Sequence, residues 1–433
     1  MAISAVATVQ MKFDERINII LQHGPASSIA VAVSGGPDSM FLCYLAQQFC
    51  IKHDITLHAI TVDHKLRINS SLEAESTRDF LMGQGINDSV ILSWDGEKPK
   101  SNIQAIAREK RYSLISDYCK SHGIKHLLTG HHKDDQAETV MLRIMRGSGV
   151  DGISGMDESS LRNGIMISRP MLAISRSEII QCIGEIGWNY CNDPSNENDA
   201  FTRVKVRKFL STPSWMFLSD KLVLLANNSK RASDYLHQQT ENFLKDSCTF
   251  CQFGTASLDL DAYKKQHEEI ALRAMASILM RIGGNSYPPR LFQLERVYAA
   301  IHSPQWKNAT LWGCFLKARQ GRLIVMREES DIPALTEVKA GQKFLWDNRF
   351  IIESEIDGYV KLISKHNFHK DLKPLLQSTM HLPSAEVIAT LPALFDSGGE
   401  MVVIPGVYDN SDKKHCKICY TSCKQLKVIS REI

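Results

Sequence analysis

Apolar and polar positions change rhythm along this 433-residue chain, and the changes divide it into three parts. In the first part, short apolar runs alternate with helical patterns. Ile29–Val33 reads as a strand, and Met40, Phe41, Leu42, Tyr44, Leu45 and Phe49 follow it at helical spacing. Thr56–Val62 predicts a second strand and Ser71–Met82 a helix. Strands at Val90–Trp94 and His126–Thr129 and helices at Asn102–Ser121 and Asp134–Met145 continue the series. Apolar, β-branched strands separated by helices predict a parallel sheet covered on both faces. Near Thr212-Pro213 the pattern changes to helices, expected over Leu218–Leu244, Ile270–Ile282 and Leu291–Ile301, then a β-rich stretch at Leu311–Val325. From about Asp331 short strands are expected at Phe344–Trp346, Phe350–Ile352, Tyr359–Ile363 and Met401–Ile404. The fold class is therefore α/β, with a parallel sheet first, a mainly helical domain next and a small α+β domain last. The expected boundaries are 1–213, 214–330 and 331–433.

Composition adds limits. Apolar content of 43% and charged content of 23% are ordinary for a globular protein. A net charge of +3 leaves any nucleic-acid surface to a local patch. No apolar run reaches membrane-spanning length, so no membrane partner is expected. Met1–Val9 lacks the basic start and long apolar core of a signal peptide, which points to the cytoplasm. The eleven cysteines then read mainly as thiols, with Cys43, Cys50 and Cys119 on apolar faces. Cys416, Cys419 and Cys423 beside His415 have spacing that could hold a metal, yet match no standard zinc pattern.

The candidate chemistry sits where the sheet should open. In parallel sheets ligands lie beyond the carboxyl ends of the strands. That rule selects the loop after Val33, Asp63-His64 after Val62, and Gly130-His131-His132 after Thr129, which should converge. Ser34-Gly35-Gly36-Pro37-Asp38-Ser39 is a glycine turn between a strand and a helix. Glycines let the backbone approach an anion, and the helix N-terminus favours its charge. Ser39 offers a cap hydroxyl and Asp38 a magnesium ligand. The loop lacks the Gly-Lys-Ser/Thr ending of a Walker A loop and is not G-x-G-x-x-G. Gly130–Thr139 brings Asp134 and Asp135 to a helix start, which suits a hard cation bridging phosphates. The plainer alternative is two acids complementing a helix dipole. Arg108 and Arg111 lie three apart on one helix, where arginine forks suit phosphates. Arg203, Lys205, Arg207 and Lys208 form a basic run after Asp193–Asn196, a local candidate for RNA phosphates.

These pieces resemble the tRNA(Ile)-lysidine synthases, within the PP-loop ATP pyrophosphatases. The resemblance rests on Ser34–Ser39, Val62–Arg67, Asn102–Tyr112 and Gly130–Thr139. It continues through Arg146–Gly149, Gly152–Met156, Arg169–Leu172 and Asp193–Asn196, in the family's order over most of 27–208. Leu391–Leu394 and Val403–Gly406 are similar to its C-terminal domain. The resemblance implies a Rossmann-like sheet with a PP-loop, ATP and Mg2+ as cofactors, and two later domains that bind tRNA. It implies ligation of free L-lysine to the wobble cytidine of an isoleucine tRNA with a CAU anticodon; a homodimer is a possible assembly. Ser34, Gly35, Gly36, Pro37, Asp38 and Ser39 would bind ATP, and Asp38 and Asp135 would hold magnesium. His131, Arg108 and Arg111 would join them in catalysis, and Arg203, Lys205 and Arg207 would contact tRNA. Two departures stand out: Val204 follows Arg203 where Asn is usual, and Lys65 replaces a small residue in Asp-His-x-Leu-Arg. A thiolase would need a sulfur-carrying cysteine, but the first domain has no Cys-x-x-Cys, and Cys182 and Cys191 lie nine apart. An amidotransferase would need an N-terminal cysteine, and residue 2 is Ala.

Overall fold

The computed structural model describes residues 4–22, 26–66, 69–96, 98, 103–191, 202–285, 287–363, 383–409 and 416–420. The chain separates into two compact units, residues 1–233 and 234–430.

The first unit contains α1 (Ala5–Leu21), β1 (Ser28–Ala32), α2 (Pro37–His53), β2 (Thr56–Asp63), α3 (Ser70–Gly83), β3 (Asp88–Ser93), α4 (Ile103–Ser121), β4 (His126–Leu128) and α5 (Lys133–Met145). It continues with α6 (Val150–Ile153), β5 (Ser159–Arg162), β6 (Ile165–Ser168), α7 (Arg176–Ile186), α8 (Thr202–Ser211) and the start of α9 (Met216–Ser247). The sheet order is β3-β2-β1-β4-β6-β5. All neighbours are parallel except β5, which runs antiparallel to β6 at the edge. The chain steps outward from β1 to β3 and then crosses to place β4 on the other side of β1. That reversal is a topological switch point, and it opens a crevice between the ends of β1 and β4.

Strand alternation splits the core between the two faces. Ile29 and Val31 pack under α1, α2 and α7 with Phe13, Phe41, Leu45 and Ile179. Ala30 faces the other way, with Tyr112, Ile115 and Cys119 of α4 and Ile165 and Ile167 of β6. The expected strands and helices of this part are all present. Of the first residues, read above only for targeting, Ala5–Val9 lie in α1. Ser4 caps it by accepting from the Ala7 N–H at 3.1 Å, and Val9, Phe13, Ile17 and Ile20 turn one buried stripe onto the sheet.

In the second unit, β7 (Cys248–Cys251), β8 (Thr255–Asp259), α10 (Leu260–Lys265), α11 (Glu268–Gly283), α12 (Leu291–His302), β9 (Asn308–Leu311), β10 (Cys314–Arg319) and β11 (Arg322–Arg327) come first. The helices lie on an antiparallel sheet in the order β7-β8-β11-β10-β9. Met275, Ile278, Leu279 and Ile282 of α11 share a core with Leu258, Leu316, Leu323 and Val325. Then follow β12 (Leu335–Val338), β13 (Gln342–Trp346), β14 (Phe350–Ser354), β15 (Gly358–Leu362), α13 (Ala385–Ile388), β16 (Pro392–Asp396), β17 (Met401–Ile404), β18 (Tyr408–Asp409) and β19 (Cys416–Tyr420). They form antiparallel sheets β12-β15-β16-β17-β18 and β13-β14-β19. Val360, Phe350, Leu394 and Ile404 belong to their shared core. No helix among the described residues is long and apolar enough to cross a membrane.

Candidate active site

The Ser34–Ser39 loop leaves β1 and enters α2 at the switch point. Gly35 has a φ of +82°, and a Cβ there would stand 2.8 Å from Thr77 Oγ1. Both facts require glycine. Gly36 is the N-cap of α2 and Pro37 its first residue, so the helix starts without a side-chain cap. This corrects the reading of Ser39 as a cap. Ser39 is the third helical residue, and its hydroxyl accepts from the Ser34 N–H at 3.0 Å while donating to the Gly36 carbonyl at 3.0 Å. The side chain thus ties the loop's entry to its exit, and leaves the first-turn N–H groups for a ligand. The loop's other side is held by the Cys191 N–H, which donates to the Gly35 carbonyl at 2.8 Å.

The segment after β4 meets this loop. A Cβ on Gly130 would come within 3.2 Å of the backbone of Asp38 and Ser39, so the two turns touch. His132 caps α5: its Nδ1 accepts from the Asp135 N–H, and Asp135 Oδ2 accepts from the His132 N–H at 3.2 Å. The ring is 1% exposed. Its Nε2 lies 3.7 Å from Asp38 Oδ1 and 3.4 Å from Asp135 Oδ2, and its Nδ1 lies 3.6 Å from Asp134 Oδ2. Burial lowers the His132 pKa, but Asp134, Asp135 and Asp38 together outweigh it and the net shift is upward. His131 goes the other way: burial, aided by Arg169, Arg108 and Arg203, exceeds the pull of Asp135 and holds the ring neutral. Its Nδ1 bonds Thr129 Oγ1 at 2.9 Å.

The two acids predicted as cation ligands shift in opposite directions. Burial opposes ionisation of Asp135, yet His132 and Arg203 overcome it and its pKa is lowered. For Asp38, burial prevails over His132 and Arg176, and its pKa is raised. Asp38 Oδ1 is buried and has no hydrogen-bond partner among the described residues. A carboxylate with a free buried oxygen, close to a second carboxylate and a glycine loop, fits a hard cation. Among the described residues no group of three or more His, Cys, Asp or Glu forms a complete metal site.

The basic run on α8 folds back onto α5. Arg203 Nε donates to Glu138 Oε2 at 2.7 Å, and its Nη2 donates to Asp135 Oδ1 at 2.8 Å. Arg207 donates from Nε to Glu138 Oε1 at 2.6 Å. Glu138 is 2% exposed. It lies one turn after Asp135 on α5, while Arg203 and Arg207 lie one turn apart on α8. The i,i+3 and i,i+4 spacings carried the signal for this cluster, which reading the basic residues alone missed. Lys205 points elsewhere and is exposed. Arg176, also missed, approaches Asp38 Oδ2 at 3.7 Å, and its N–H donates to Asp134 at 2.7 Å.

One strand further out, Asp63 is the last residue of β2 and His64 follows it. Asp63 accepts from the Lys65 N–H at 2.9 Å, Ser70 Oγ at 2.7 Å and Ser71 Oγ at 2.5 Å. His64 Nε2 accepts from Arg111 Nε at 3.1 Å. Burial, then the Arg111 charge, lowers the His64 pKa to about 4. Arg108 lies over the Tyr112 ring at 5.2 Å. Loop, His131, His132, Asp135 and Arg203 therefore form one cluster, and Arg111 with His64 forms a second. Asp193–Asn196, Asn102, Arg67, His415 and Cys423 lie outside the described residues. On β19 Cys416 is buried and Cys419 exposed, as strand alternation requires for that spacing, so the two do not share a face. Cys182 is buried in the α1–α2–α7 core.

A PP-loop domain family profile matches residues 9–213. The chain is 37% identical over 328 residues to the tRNA(Ile)-lysidine synthase of Wolbachia pipientis wMel, covering 75% of this chain and 76% of that one. It is 30% identical over 420 residues to that of Wolbachia sp. subsp. Brugia malayi, covering 93% and 95%. The tRNA(Ile)-lysidine synthase of Ruegeria pomeroyi is 30% identical over 384 residues, covering 88% and 89%. With its glycine loop at the switch point of a parallel sheet and this likeness along its length, the chain belongs to the tRNA(Ile)-lysidine synthase family, ligases built on a PP-loop ATP-binding domain.

Proposed function

We propose that the protein joins free lysine to C2 of the wobble cytidine in an isoleucine tRNA bearing a CAU anticodon. The C2 oxygen attacks the α-phosphorus of ATP and pyrophosphate leaves. The ε-amine of lysine, having lost a proton, adds at C2, and AMP departs with the former C2 oxygen. Adenylation matters because a pyrimidine C2 oxygen is otherwise a poor leaving group. The product, lysidine, pairs with A instead of G, and the tRNA changes identity from methionine to isoleucine. These substrates are found in the cytoplasm.

The observation that carries the ATP step is the buried Asp38 Oδ1 at the first turn of α2, which has no hydrogen-bond partner among the described residues. The Ser34–Ser39 backbone would cradle the β- and γ-phosphates, with Gly35 allowing close approach. Asp38 and Asp135 would hold Mg2+, which when bound offsets charge building on the leaving pyrophosphate. Neutral His131 would contact phosphate or the activated base, and Arg108 and Arg111 would hold the extruded cytidine's surroundings. Arg203 and Arg207 already bind Glu138 and Asp135, so they would orient α8 while exposed Lys205 meets RNA phosphate. Segments 214–330 and 331–433 would act as two tRNA-binding domains.

Labelled ATP, lysine and unmodified isoleucine tRNA should yield AMP and pyrophosphate in equal amounts, and only when the tRNA is present. Release of ADP, or nucleotide turnover indifferent to tRNA, would contradict the proposal.

A further inference from the structure

Away from the crevice, the junction of α8 and α9 exposes a row of aromatic rings. Phe209, Trp215 and Phe217 are 38%, 44% and 57% exposed. Phe209 and Trp215 stack with centroids 5.4 Å apart and planes at 30°. Trp215 and Phe217 follow at 6.2 Å and 32°. The rings thus make a continuous series in which each plane is tilted by about 30° from the one before it. Successive turns hold it: Thr212 N donates to the Phe209 carbonyl, Trp215 N to Thr212, and Leu218 N to Trp215.

The surroundings are basic. Between Thr202 and Lys221, Arg203 and Arg207 pair with Glu138 and Asp135, which leaves Lys205, Lys208 and Lys221 as the outward cations beside the stretch's one acid, Asp220. Asp220 pairs with Lys133 at 2.5 Å. Lys205, Lys208 and Lys221 are exposed. Stacked rings beside cations suit bases joined by phosphates, because every base has a face to stack and every link carries a negative charge. A duplex hides its base faces, so the matching partner is unpaired RNA. The same α8 that presents Phe209 is fixed to α5 through Arg203 and Arg207. The rings are therefore held on a frame shared with the ATP loop.

We propose that Phe209, Trp215 and Phe217 form a stacking platform for unpaired bases of the RNA substrate, with Lys205 and Lys221 taking the adjoining phosphates. This rests on the tRNA reading above and adds where single-stranded nucleotides are held.

The test is binding of the full chain to isoleucine tRNA and to its isolated anticodon stem-loop, across a salt series. Trp215→Ala should weaken stem-loop binding by about tenfold and leave the salt slope unchanged, while Trp215→Phe keeps near-native affinity. Lys205→Ala should lower the slope by about 0.7. Native affinity in Trp215→Ala would overturn the platform while leaving the tRNA reading intact. Failure of the unaltered chain to bind tRNA would overturn both. If the unaltered chain sediments as a dimer and Trp215→Ala as a monomer with native RNA affinity, the rings serve a second copy of the chain and the platform is wrong. Retained thermal stability in Trp215→Ala separates a lost contact from a lost fold.

Discussion

Asp38 concentrates the account at the residue scale. Asp38→Asn keeps the shape and removes the charge, and should reduce tRNA-dependent AMP formation by about 100-fold or more while tRNA binding stays near native. Lost tRNA binding would give Asp38 a structural role instead. Gly35→Ala forces a side chain into the left-handed region and against Thr77, so unfolding free energy should fall by about 1–2 kcal/mol, measured by denaturant titration, with ATP affinity falling too. Asp63 gives a pH prediction. Burial raises its pKa, but Ser71 Oγ, the Lys65 N–H and Ser70 Oγ overcome that and bring it below the ordinary carboxylate value. Its folded pKa is depressed, so its contribution is complete above about pH 4 and fades as pH drops through the folded value. Asp63→Asn should therefore lower Tm more at neutral pH than at about pH 3. The glycines and Asp38 were legible because a motif of fixed spacing needs them. His132 was less so: its place between three carboxylates depends on two loops meeting, which no local pattern reveals.

At the scale of elements, the contact of α8 with α5 is the instructive one. The basic run invited an RNA-facing role, and two of its arginines turn inward to a buried glutamate. Both arginines remain about a third exposed, so solvent screens part of the interaction. Glu138→Gln should cost about 1–3 kcal/mol and raise hydrogen exchange along α8, with unchanged exchange as the contrary result. The strands and helices around the crevice were readable since parallel strands buried on both faces appear as apolar runs. The β5–β6 hairpin and the β7–β8 pair were not anticipated. Their strands are only four or five residues long and, β6 apart, more half-buried than buried, so they leave a weak periodic trace. Pairing partners far along the chain make them strands: β8 joins β11 with Leu258 opposite Leu323.

On the scale of the whole molecule, the proposed reaction would need the PP-loop unit together with the segments proposed to bind tRNA. The division at Ser233 and Asp234 falls inside α9, later than the change of sequence character near Pro213, because one helix runs across it. In the second unit Asp347 lies between Arg327 at 3.1 Å and Arg349 at 2.6 Å, all at most 7% exposed. Asp347→Ala would remove this carboxylate from between two buried guanidiniums and should destabilise that unit by about 3–5 kcal/mol, seen as a lower unfolding midpoint. The most direct measurement of the central claim is entry of labelled lysine into tRNA in the presence of ATP. The account predicts that label enters unmodified isoleucine tRNA with a CAU anticodon, one lysine per AMP released, and stays out of methionine elongator tRNA. Failure of label to enter the isoleucine tRNA, or equal labelling of both, would contradict it.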